Sequence, residues 1–337
     1  DEDAKKRFNA FLENVSENAS SKNQLLRKKL LESGAVPDDF EIPLRSIKSE
    51  VELFRENNLP LMTKDSKLSK EYDAIIGAQT VEWEGKEITI TQLGPVLLET
   101  NRERREKAWR LAAERRLKDR EKINEVWKKT LKTRINIAQN ADKDNYRSWR
   151  WEYLSRFDYT PDDCLNFHSA IEKVVMPFAN KLIKKRKEEL GLEVLKPWDL
   201  SVDPLNRSPL KPFKDADELE EKCHNIFNAV DKELGNHFKI MREEKLLDLA
   251  NRKGKAPGGY CTEYYHRRLP FIFMNAVGTH SDVQTMLHEG GHAFHVFESN
   301  QLPYAAQRDV GMEFAEVASM SMELLSSPYL TKDFGGF

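Results

Sequence analysis

Between residues 101 and 141, apolar side chains recur every three or four positions within dense charge: Trp109, Ala113, Leu117, Ile123, Trp127, Leu131 and Ile135. That period matches the helical turn and excludes a strand, whose faces alternate at every second residue. It predicts one long helix or a helical pair. Phe8, Phe11, Leu12 and Val15 form a similar stripe near the start. A third runs from Phe167 to Leu190 through Ile171, Val174, Val175, Phe178, Leu182 and Ile183, with Pro177 as an expected kink. The aromatic residues of these helices are expected in the core rather than against a cofactor. The basic run Lys184-Lys185-Arg186-Lys187 is balanced by Glu188 and Glu189 and reads as a solvated face. Charged residues make up 33% of the chain and hydrophobic ones 39%, a balance of strong helix formers. The expectation is a mainly α, large multi-helix fold. Its 337 residues exceed one ordinary core and suit two lobes.

Two stretches break the helical pattern. Val81, Trp83, Ile88 and Ile90 alternate around Glu84-Gly85-Lys86 and predict a small β-hairpin. Further on, Gly254, Pro257, Gly258 and Gly259 make a loop, Tyr260 to Tyr265 starts a strand, and Leu269 to Met274 forms another. Pro270 predicts an edge strand or a first position for the latter. A proline-bearing connector, 197–212, is a weak boundary. The expected division is 1–160, an N-terminal helical lobe with the hairpin near 81–90, and 161–337, the first part of a catalytic domain.

Lys plus Arg number 54 against 56 for Asp plus Glu, so no basic field points to nucleic acid. Cys164, Cys223 and Cys261 are odd in number and lack CxxC spacing, which favours a reducing, cytoplasmic setting over a disulfide framework. No apolar run reaches the roughly 18–20 residues that span a bilayer, so no membrane partner is expected. The opening residues lack the basic and apolar regions of a signal peptide.

The chemistry concentrates in Ser281-Asp282-Val283-Gln284-Thr285-Met286-Leu287-His288-Glu289-Gly290-Gly291-His292. Ser281 with Gln284 predicts a capping box and hence a helix start. On that helix His288 and His292 stand one turn apart on one face, which lets both imidazoles bind one metal ion. Glu289, turned by about 100°, stands beside the metal and can take a proton from water there. Gly290 and Gly291 in mid-helix each cost roughly 0.5–1 kcal/mol relative to alanine, so another segment or a substrate must approach closely. A metzincin would carry glycine and histidine where His295 and Glu298 stand. A thermolysin-like spacing would put glutamate where Gly311 and Met312 stand. Glu316, flanked by small or apolar residues on a second helix-patterned stretch, is the expected third ligand. Glu313, one turn away, is the alternative. Glu323 reads as an outer or surface group. His295 and Ser319 are expected to hydrogen-bond or pack around the ligands.

These residues resemble the oligoendopeptidase F branch of the thimet oligopeptidase family of zinc peptidases. The likeness lies in DVQTMLHEGGHAFH at 282–295 and MEFAEVASMSMELL at 312–325, with GKAPGGY at 254–260 and RLPFIFMNAVG at 268–278. It is weaker through 145–164 and 81–93. The resemblance implies one Zn2+ per chain held by His288, His292 and Glu316, with Glu289 as the general base on the water. It implies a two-lobed helical fold with a small sheet beside the site helix, and endopeptidase action on short unstructured oligopeptides. It places Gly258, Gly259, Tyr260 and Phe271 on the substrate side. Family members continue past the glutamate-bearing helix with groups that hold the substrate carbonyl. The chain is therefore expected to be truncated at its C-terminus, with the missing segment as a partner. That loss would leave apolar surface around 269–274 and 314–325 uncovered. The alternatives are an exopeptidase of the dipeptidyl carboxypeptidase type, or a non-catalytic zinc- and peptide-binding helical protein.

Overall fold

The computed structural model describes residues 2–331 and 337. They form two compact units, each assembled from separate stretches of chain. The first comprises residues 1–75, 120–159 and 302–312, the second 76–119, 160–301 and 313–337. Residues 302–312 thus group with the first unit. The segment 76–119, with the hairpin, groups with the second unit; it carries its own small core of Val81, Trp83, Leu93, Val96 and Ala108, and its Arg102 and Arg105 pair with the buried Asp199.

In the first unit, helices Glu41–Leu53, Arg120–Asn140 and Tyr146–Tyr153 meet around Leu53, Ile137, Ala138, Ala141 and Trp149. The periodic stretch 101–141 is a helical pair, Arg102–Lys118 and Arg120–Asn140, interrupted at Asp119. Asp119 leaves the helix while its carboxylate accepts from Arg115, 2.6 Å away, and from the Gln79 amide at 3.1 Å.

In the second unit β1 (Thr80–Trp83) and β2 (Lys86–Thr89) form the expected hairpin. Its two-residue turn places Glu84 and Gly85 at φ +53° and +79°, the left-handed pair that suits the strand twist. A second sheet has the order β3-β5-β4, from β3 (Leu247–Ala250), β4 (Tyr260–Tyr264) and β5 (Leu269–Ala276). β5 lies in the centre, parallel to β3 and antiparallel to β4, so of the two positions expected from Pro270 the edge does not hold and the strand start nearly does, with Pro270 second in the strand. The proline is tolerated because β3 pairs only from Ile272 onward, and its missing N–H falls before that ladder begins.

Ile272 and Met274 point from β5 into the main core, with Leu219, Ile226, Phe227, Phe238, Met241, Val283, Met286 and Leu287. The surrounding helices are Ala216–Val230, Lys232–Glu243 and His280–Ser299.

The third apolar stripe departs from expectation. Helices Pro161–Ala170 and Met176–Glu189 flank a π-helical turn, Ile171–Val175. That turn takes up the strain of Pro177, which offers no N–H to the carbonyl four residues back. The stripe is not core: Phe167, Val174 and Phe178 are 66%, 72% and 60% exposed. No described element covers them. Trp127, Leu131 and Ile135 are likewise exposed. No described helix is long and apolar enough to cross a membrane.

Candidate metal centre

The site helix starts two residues earlier than Ser281 suggested. Thr279 is its N-cap, accepting from the Asp282 N–H, while Asp282 accepts from the Thr279 N–H at 2.8 Å and the Val277 N–H at 3.0 Å. This reciprocal cap joins β5 to the helix with little slack and sets the rotation at which the helix meets the sheet. Val283, Met286 and Leu287 are fully buried beneath it.

The two glycines account for its packing. A Cβ on Gly290 would stand 2.5 Å from the Phe227 ring, and one on Gly291 2.6 Å from the Ala318 carbonyl oxygen. Gly291 thus lets the helix Met312–Ser326 cross in backbone contact, one turn from Glu316. The close approach expected from the paired glycines is made by the protein itself.

His288, His292 and Glu316 each present a donor atom, all within 4.8 Å of one another. His288 Nε2 lies 3.2 Å from one carboxylate oxygen of Glu316, and His292 Nε2 3.8 Å from the other. The imidazoles stand 5.0 Å apart and nearly perpendicular. Glu316 is steadied by the buried Ser319 hydroxyl, 2.9 Å from its carboxylate. Glu323 accepts from His288 Nδ1 at 2.8 Å, which leaves the Nε2 lone pair facing the cluster. Burial holds His292 below the usual imidazole range against the pull of Glu316, favouring the neutral, metal-binding form. Nearby His295 acts in the same direction as burial on His292. Glu313 is exposed and outside the cluster.

Glu289 is buried, and desolvation raises its pKa. His288 and a backbone hydrogen bond from Cys261 oppose that rise, while Glu316 adds to it. The carboxylate therefore sits beside β4 with an enhanced affinity for protons.

The loop before β4 is fixed by residues that the sequence did not single out. The buried Lys255 ammonium donates to the Asp248 and Ala250 carbonyls and to the Asp248 carboxylate, each at 2.9 Å. It also lies over the Phe273 ring. Asn275 donates to the Ala256 and Gly258 carbonyls at 2.8 and 2.9 Å. Gly258 takes φ +89°, and Gly259 abuts Thr285 of the site helix. Tyr260 stacks on Phe273. Phe271 lies on the central strand, opposite Thr262. Among the described residues, the outer strand on the side of Thr262 is β4.

A helix with two histidines one turn apart is thus met by a glutamate from a second helix, and comparison with known proteins places the chain that carries them. The model of peptidase family M3 matches residues 96–335. The chain belongs to that family. Among curated relatives, this M3 chain is 26% identical over 215 residues to an oligoendopeptidase F homolog of Lactococcus lactis. It is 28% identical over 221 residues to the group B oligopeptidase PepB of Streptococcus agalactiae. Each match covers 63% of this chain but 35% of the relative, so the matched stretch is about a third of their length. Among solved structures, PZ peptidase A with an inhibitor is 28% identical, with a TM-score of 0.92 over 98% of this chain and 59% of that one. The fold, mainly helical with a small sheet beside the site helix, is shared with these peptidases.

Proposed function

We propose that the chain forms the metal-binding and proton-transfer part of a zinc peptidase that hydrolyses short, unstructured oligopeptides. The observation that carries this reading is the convergence of His288, His292 and Glu316 beside a buried, proton-seeking Glu289. The donor set fits zinc: two imidazole nitrogens and one carboxylate, with one histidine oriented by Glu323 and the carboxylate held by Ser319. Zinc bound there supplies Lewis acidity to the scissile carbonyl and to water.

The protein's own groups do the rest. Glu289 accepts a proton from the attacking water and returns it to the leaving amine, and its raised proton affinity suits both steps. An extended peptide pairs along the outer edge of β4, with Gly258, Gly259 and Tyr260 at its entrance. Backbone pairing reads no side chains and so gives broad sequence tolerance. The groups that hold the substrate carbonyl come from further polypeptide, in cis or as a separate chain. The exposed apolar face of helix Met312–Ser326 supports a need for such cover.

Glu289→Gln tests the reading. It is expected to retain zinc and fold while losing 10²–10⁴-fold in hydrolysis of a quenched peptide, roughly the worth of a general base. Near-normal turnover would remove Glu289 from that role.

A further inference from the structure

Away from the candidate centre, helix Lys232–Glu243 packs against the C-terminal end of the site helix. Glu233 and His237 stand one turn apart on it, and Glu298 reaches toward them from the site helix. Each offers one donor atom, and the three atoms lie within 4.8 Å of one another.

Three observations separate this group from an ordinary surface ion pair. The Nδ1 atom of His237 is sealed from solvent and has no hydrogen-bond partner. A buried, unsatisfied polar atom costs about 1–3 kcal/mol, so its persistence needs a reason. Its distance to Glu298 Oε1 is 4.0 Å, beyond hydrogen bonding. Two donors to one cation, with bonds of about 2.0–2.2 Å, sit roughly 3–4 Å apart, so a small closure would accommodate an ion. The ring is also pre-set: it stacks on Phe297 at 4.3 Å and 6°. Glu298 keeps Oε1 on the His237 side, because its Oε2 accepts from Gln301 at 3.1 Å. The helix dipole explains a glutamate at position 233 in the first turn, but not the unpartnered imidazole nitrogen.

We infer that Glu233, His237 and Glu298 form a second divalent-cation site, distinct from the His288 cluster. An imidazole among the donors selects a borderline ion of the Zn2+ type, since Mg2+ and Ca2+ take oxygen ligands. The site clamps helix Lys232–Glu243 to the end of the site helix. Its role is stabilisation of the helix that carries His288 and His292.

Equilibrium dialysis of the full chain against Zn2+, with metal counted by mass spectrometry, tests this. His237→Phe keeps the stacked ring and removes the donor. Wild type is expected to hold one zinc equivalent more than this variant, and zinc should raise its melting temperature further. Because the readout is a difference, it holds whether or not His288 and His292 bind metal. Glu233→Gln with Glu298→Gln, both changes at exposed positions, serves if His237→Phe misfolds, and must lose the same equivalent. Equal zinc content in wild type and variants would overturn the site.

Discussion

Glu323 bears on the proposed metal centre from one hydrogen bond beyond its candidate ligands. Its carboxylate, 2.8 Å from His288 Nδ1, fixes the tautomer that points Nε2 at Glu316. Glu323→Ala is expected to weaken zinc binding by roughly 10–100-fold, the usual loss when such a partner is removed. Competition with a chromophoric chelator measures this; an unchanged affinity would make Glu323 a bystander. That His288 and His292 share one face was legible in the sequence, because a helix places positions four apart on one face whatever the tertiary fold. Glu316 was preferred to Glu313 only from its small and apolar neighbours, because both fit the spacing. The choice depends on how the second helix is rotated against Gly291. Lys255 and Asn275 left no sequence signal, because they act through backbone carbonyls brought together only by the fold.

At the level of elements, the crossing of two helices at Gly291 holds the centre together. Gly291→Ala would place a methyl group 2.6 Å from a backbone oxygen and from the Ser319 Cα, where no side-chain rotation relieves it. The expected result is a loss of about 1–3 kcal/mol in stability by urea unfolding, with weaker zinc binding as Glu316 moves away. Stability equal to wild type would mean that the helices are not in backbone contact. The paired glycines signalled such an approach from the sequence, though not which segment made it. The hairpin was equally readable, from its alternation and its Glu-Gly turn. Pro270 left two positions for β5 open, an edge or a strand start, and it stands second in a central strand. Strand order depends on where β3 begins, and no local pattern carries that.

On the scale of the whole molecule, the apolar stripes settled the fold class but misjudged burial. Amphipathic period fixes which residues share a face; it does not say whether anything lies against it. Helix Met312–Ser326 leaves Phe314 and Leu324 67% and 76% exposed, with Val317 and Met320 beside them. The strand 269–274, expected to be uncovered as well, is instead buried or half-buried within the second unit. An apolar face of this kind promotes association in water. Sedimentation of the isolated chain is therefore expected to show concentration-dependent self-association, suppressed by Phe314→Glu with Leu324→Glu. A monomer at all concentrations would argue that the face is tolerated bare. The most direct test of the central claim is anomalous diffraction at the zinc edge from crystals of the zinc-loaded chain. The expected map has a peak bonded to His288 Nε2, His292 Nε2 and the Glu316 carboxylate, with bonds of about 2.0–2.2 Å. No density between those three side chains, or a peak held by Glu313 in place of Glu316, would contradict it.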